Sequence, residues 1–159
     1  MAVSRLLLGS SLSGQMLLPA DAQPVLERFD ELQALLALRA PLAADLFAQP
    51  VLDRPGSESP TRVSWYGSAI QDPVTLDRLP PAQRATAVAA LRERFAALAP
   101  LFTDATCAPL LRAALCVSGP QDLLWSGEAP ILVNWGMVPE ATGDSQEVAC
   151  AAERNRKAA

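Results

Sequence analysis

The stretch Asp122–Pro139, reading DLLWSGEAPILVNWGMVP, constrains this chain more than any other. Two apolar runs, Leu123–Trp125 and Ile131–Trp135, flank Ser126-Gly127-Glu128-Ala129. β-formers on either side of a short glycine-containing loop predict a β-hairpin over about 122–136. The second run ends in Trp135-Gly136, a large anchor followed by a residue that lets the backbone bend.

A second β pair precedes it. Gln49–Leu52 reads as extended, Asp53–Pro60 (DRPGSESP) as a loop, and Thr61–Tyr66 as a strand. Alternation puts Val63 and Trp65 on one face and Ser64 and Tyr66 on the other. Pro50 and Pro60 place the first strand of this 49–66 hairpin near a sheet edge.

Helical periodicity fills the remainder. Val25, Phe29, Leu32 and Leu36 form a stripe over 22–39, widened by Leu26, Leu35 and Leu38, with Asp21 as the predicted N-cap. Pro41–Ala48 reads as a short second helix. Pro80-Pro81 opens the longest one, where Val88, Leu91, Phe95 and Leu98 share a stripe and Arg84, Arg92, Glu93 and Arg94 face outward. A further helix spans about Thr106–Val117. Two strand pairs separated by helices predict an α+β fold, a small antiparallel sheet of two hairpins covered by two to four helices. The single domain is expected over 1–140, with 141–159 a loose or partly helical tail that starts a linker.

Met1–Arg5 is mildly basic and Ala20-Asp21-Ala22 has the small-x-small form of a cleavage site. Gly9, Ser10, Ser11, Ser13 and Gly14 interrupt the apolar region between them, so a strand at Ser4–Leu8 followed by a turn is the better reading.

Chemistry is sparse. Histidine is absent, which removes the commonest general base and metal ligand. The only lysine is Lys157, no serine sits in G-x-S-x-G, and no phosphate-binding glycine loop occurs. Asp72 and Asp77 lie before the long helix at a spacing that matches no metal or acid–base pattern, and Glu27, Asp30 and Glu31 lie on a solvated helix face. Cys107, Cys116 and Cys150 are odd in number and lack C-x-x-C spacing. That argues against a disulfide framework or zinc site and for a reducing compartment. A net charge of −4 disfavours nucleic acid and anionic membranes as partners. The expectation is a protein without enzymatic activity, cofactor or metal. The candidate contact residues are Trp65, Tyr66, Trp125 and Trp135, the aromatics most often found at binding hot spots; packing in the core is the competing role for each.

Arg62-Val63-Ser64-Trp65-Tyr66, the helix led in by Leu79-Pro80 with Arg84 and Leu91, and Leu123 to Gly136 together resemble the N-terminal domain of SrfA-like bacterial virulence-factor proteins. Ala43–Pro50 (AADLFAQP) is similar to that family's helix running into a proline. The chain departs from the pattern at Asn134, where an aromatic is expected, and after Gly67, where a second tryptophan is missing. The resemblance implies a cytoplasmic interaction or sensory domain, the first part of a longer membrane-anchored envelope protein that binds a protein partner. Membrane contact would come only through a downstream segment, which Arg154, Arg156 and Lys157 would precede on the cytoplasmic side. It implies no catalytic residues. An alternative reading is a small-molecule module with a Trp-lined pocket between helices and sheet.

Overall fold

The computed structural model describes residues 3–54, 56 and 59–140. The strands of the first half are β1 (Val3–Ser11), β2 (Gln15–Leu17), β3 (Pro19–Ala20) and β4 (Gln23–Pro24). A 3₁₀ turn at Val25–Arg28 leads into helix α1 (Phe29–Arg39). Then come β5 (Gln49–Asp53), β6 (Arg62–Ala69) and β7 (Val74–Thr75). Helix α2 (Pro81–Leu98), helix α3 (Ala108–Ala114), β8 (Leu123–Trp125), β9 (Pro130–Leu132) and β10 (Met137–Pro139) complete the order. The fold is α+β.

Both predicted hairpins form, but they belong to different sheets. In one sheet the order is β1-β6-β5; in the other it is β7-β8-β9, and all pairings are antiparallel. The reading of one shared sheet is corrected by the N-terminal strand. β1 takes the open side of β6, from Val3 opposite Ala69 to Ser11 opposite Arg62. β5 is an edge strand, as Pro50 indicated.

The sheets meet along a backbone seam. Leu132 N–H donates to Leu46 O at 2.7 Å and Ala48 N–H donates to Leu132 O at 2.9 Å. Ile70 N–H, just past β6, donates to Ser126 O at 3.2 Å. This seam overturns the helix expected at 41–48. Only Pro41–Ala43 coils, as a 3₁₀ turn. The Leu46 carbonyl and the Ala48 N–H are committed to Leu132, so these two groups cannot continue a helical ladder.

Trp135 sits at the centre of the core, fully buried. Its ring lies 5.4 Å from Phe47 edge-on, 5.7 Å from Trp65 and 6.1 Å from Phe29. Its indole N–H donates to Ala48 O at 2.9 Å, which satisfies the one polar atom the ring carries inward. Gly136 follows at φ 71°, and a Cβ there would lie 2.5 Å from Val25 Cγ1. Both the backbone conformation and the space exclude any side chain at that position.

A polar tie holds this corner. Asp122, buried, accepts from the backbone N–H groups of Ser118 (2.8 Å) and Gly119 (3.3 Å) and from Asn134 Nδ2 (3.0 Å). Asn134 Oδ1 accepts from Ser10 Oγ at 2.6 Å. The tie therefore runs from β1 to the turn before β8. Asn134 holds a left-handed φ of 53°, which asparagine tolerates and an aromatic would not do so readily.

Helix α1 buries Leu32 and Leu36, while Leu38, assigned to the apolar stripe from sequence, is 81% exposed. Asp21 is not a cap; it occupies the β3–β4 turn at φ 59°. α2 begins after Pro80 as expected and packs Ala87 and Leu98 inward. Arg84 does not face water alone: its guanidinium donates to the carbonyls of Leu76, Asp77 and Leu79 and closes the turn before the helix. Arg94 is likewise held, donating to Ala90 O and pairing with Asp45 at 3.7 Å. The predicted tail at 141–159 lies outside the described residues, as does Cys150.

Candidate functional site

The sequence offered four contact candidates, and the structure withdraws three. Trp65 and Trp135 are fully buried and Trp125 is 7% exposed. Trp65 belongs to the core around Trp135, and Trp125 packs with Leu76, Leu79 and Ala87 under α2. A partner cannot reach them, and the Trp-lined pocket foreseen as a ligand site is a filled core. The reason is geometric. Val63 and Trp65 point inward together on the central strand of their sheet, and Gly136 lets the chain turn so that Trp135 plugs the space above them. Tyr66, one residue further along β6, points the other way and stays half-exposed.

Tyr66 lines an open cleft of about 330 Å³. Helix α1 contributes Phe29 and Gln33, one helical turn apart and therefore on the same face. The irregular segment before β5 contributes Asp45 and Phe47, and β5 begins with Gln49. Ile131 of β9 closes the apolar floor, and Glu128 stands on the turn above it.

That turn is rigidly built. Ser126 is fully buried; its Oγ accepts from Ala129 N–H at 3.0 Å and Glu128 N–H at 3.4 Å, and its own N–H donates to Ala129 O at 3.0 Å. Gly127 takes φ 101°, and a Cβ there would lie 2.7 Å from Ile70 Cγ1. The residue types in S-G-E-A thus fix where the Glu128 backbone sits, while its side chain remains exposed.

The cleft carries an electrostatic sign. Two carboxylates line it, Asp45 and Glu128, and among the described residues no lysine or arginine does. Asp45 is partly balanced by Arg94, whereas Glu128 makes no ion pair among the described residues. Gln33 Oε1 is buried without a hydrogen-bond partner. A shallower groove of about 240 Å³ continues from the cleft, sharing Phe29 and Gln49 and adding Glu27 and Asp30. Glu27 is paired with Arg54.

The other acidic candidates are dispersed into local pairs. Asp72 is bound by Arg5 at 2.6 Å. Glu31 is bound by Arg28 at 2.6 Å, and that hydrogen bond holds its carboxyl below the usual range. Asp77 lends its carbonyl to Arg84. Among the described residues no group of three or more His, Cys, Asp or Glu could hold a metal.

Cys107 is a buried free thiol, pushed up chiefly by burial and then by the Asp104 carboxylate, so it is a poor nucleophile. Cys116 is disulfide-bonded. This corrects the expectation of three isolated thiols.

Sequence reasoning found Tyr66 but missed Phe29, Gln33, Asp45, Phe47, Gln49 and Glu128 as its neighbours. Only Glu128, at the tip of a glycine turn, carried a local signal of exposure. The others converge through the seam, which periodicity does not encode. No family model, curated protein or solved structure matches the chain. Among the described residues no helix is long and apolar enough to cross a membrane.

Proposed function

We propose that this chain is a non-catalytic interaction domain whose recognition surface is the cleft between α1, the 44–49 segment and the Ser126–Ala129 turn. The observation that carries this reading is the cleft's composition: an apolar floor of Phe29, Phe47 and Ile131 beneath a polar rim of Gln33, Gln49, Tyr66 and Glu128. A few placed polar groups over an apolar floor are the usual make-up of a binding site. In this reading the rim's amides, phenol and carboxylate bind and orient a partner.

The resemblance to SrfA-like proteins supports a protein partner and placement at the cytoplasmic face of a bacterial envelope. The cysteine count no longer supports the reducing side, because Cys116 is bonded. A small molecule seated in the same cleft is the second reading, favoured by a volume near the lower end of ligand pockets.

A photo-crosslinking amino acid at Ser68, which is exposed on the cleft, tests the site in the native host. Placed at Ala82, exposed on α2 away from the cleft, it serves as the control. A discrete adduct from position 68, absent from position 82 and lost on Tyr66→Ala, is expected. Equal adducts from both positions, or an adduct indifferent to Tyr66→Ala, would reject the cleft as the recognition surface.

A further inference from the structure

We propose that the cleft takes an alkyl cation, a guanidinium or ammonium group on a short apolar stem, with Glu128 as its charge partner; this rests on the cleft being the recognition surface. Several features converge on that chemistry. Among the described residues the ionisable groups lining the cleft are Asp45, Glu128 and the Tyr66 phenol; the nearby Arg94 donates to Ala90 O and pairs with the Asp45 carboxylate, not with Glu128. Glu128 therefore presents an unbalanced carboxylate at the mouth. The cleft is also lined by the half-buried rings of Phe29 and Tyr66, and an aromatic ring attracts a cation placed over its face.

Gln33 supplies an independent pointer. Gln33 lines the cleft, and its Oε1 is buried with no donor among the described residues. A buried acceptor without a partner is costly, and a donor delivered through the cleft would relieve it once the amide turns to meet it. A guanidinium has five N–H donors and no acceptor, which matches a site rich in acceptors. An anionic ligand would face Glu128 and a second carboxylate, Asp45, that Arg94 balances only partly. An uncharged apolar ligand would leave Glu128, Gln33 and Gln49 without new partners.

The stem has a place as well. The apolar floor of Phe29, Phe47 and Ile131 lies beneath the charged rim, so a group with a methylene chain can bury its stem while its head stays among the acceptors. The adjoining groove along Phe29 and Gln49 extends the site past the length of a single side chain. Such a cation can come from an arginine or lysine of a peptide segment or from a free amine. The groove favours the peptide, whose backbone would run along the β5 edge.

The test uses the full chain, isotopically labelled, with three probes: agmatine, a blocked Ala-Arg-Ala peptide, and butyrate as the anionic counterpart. Agmatine and the peptide are expected to shift the amides of Gly67, Glu128 and Ala129 and the side-chain amide of Gln33. Glu128→Gln, a substitution on an exposed side chain, should weaken both by about tenfold, and added salt should weaken both further. Tighter binding of the peptide than of agmatine assigns the cation to a protein segment; equal binding assigns it to a free amine. Absence of shifts with either cation, equal shifts with butyrate, or an unchanged affinity in Glu128→Gln would overturn the proposal. If crosslinking from position 68 succeeds while both cations fail, the cation chemistry is wrong and the cleft stands. If both experiments fail, the cleft itself is rejected.

Discussion

Trp135 shows how one side chain organises its surroundings through both of its chemical characters. The ring fills the space among Phe29, Phe47 and Trp65, and its N–H binds Ala48 O, so apolar burial and polar satisfaction are met by one residue. Trp135→Ala would leave a large void and an unpaired buried carbonyl. Truncating a buried aromatic costs about 3–5 kcal/mol, and the stranded carbonyl adds to that. A marked drop in the urea midpoint is the expected outcome; a midpoint within error of the parent would mean that Trp135 is not the centre of the core. Trp135→Phe keeps most of the packing and loses the hydrogen bond, so its midpoint should fall between the two. The sequence made Trp135 legible as an anchor because glycine follows it. It did not make burial legible, since a tryptophan on a strand serves a core and a contact surface equally well. Tyr66 was separable from Trp65 because alternation along a strand places neighbours on opposite faces.

At the scale of elements, side chains at the helix ends add ties to the burial of the helix stripes. Arg39, in the last turn of α1, reaches Asp104 at 3.3 Å, and Asp104 also accepts the Thr106 N–H at 2.9 Å at the entrance to α3. The Thr106 hydrogen bond first, and the Arg39 contact second, hold the Asp104 carboxyl below its ordinary value. A carboxyl lowered on folding contributes stability that is present above its unfolded pKa, about 3.9 for aspartate, and lost as pH falls through the lower folded value. Asp104→Asn should therefore lower stability at neutral pH and flatten the loss of stability below about pH 4. Arg39→Ala should flatten it less, because the larger contribution comes from the Thr106 backbone. Urea titrations across an acid series measure both; equal acid slopes in all three proteins would contradict the assignment. The start of α2 was readable from Pro80-Pro81 because a proline at the first helical position has a defined physical meaning. The segment at 41–48 was misread because an apolar spacing that suits a helix also suits a chain pinned to a neighbouring strand.

On the scale of the whole molecule, the decisive feature is that two three-stranded sheets share a seam rather than strands. Each hairpin was visible in sequence as two β runs around a loop, since that signal is local. Their assignment to separate sheets depends on β1, whose partner lies far along the chain, and on Leu132, whose backbone bonds both Leu46 and Ala48. Such pairings follow from register between distant segments, which composition does not record. The seam also places the cleft, because the 44–49 segment, β9 and the Ser126–Ala129 turn reach Tyr66 only when the sheets are joined. If the seam is part of one cooperative unit, its amides open only when the whole fold opens. The amides of Ala48 and Leu132 should then exchange hydrogen as slowly as those paired within β6. Their opening free energies should fall with added urea on the same slope as global unfolding. Faster exchange at Ala48 and Leu132 than within β6, on a shallower slope, would mean that the two sheets part before either unfolds. In that case the cleft would be a gap that opens at the seam, and ligand binding there should slow exchange at Ala48 and Leu132 before it affects any other amide.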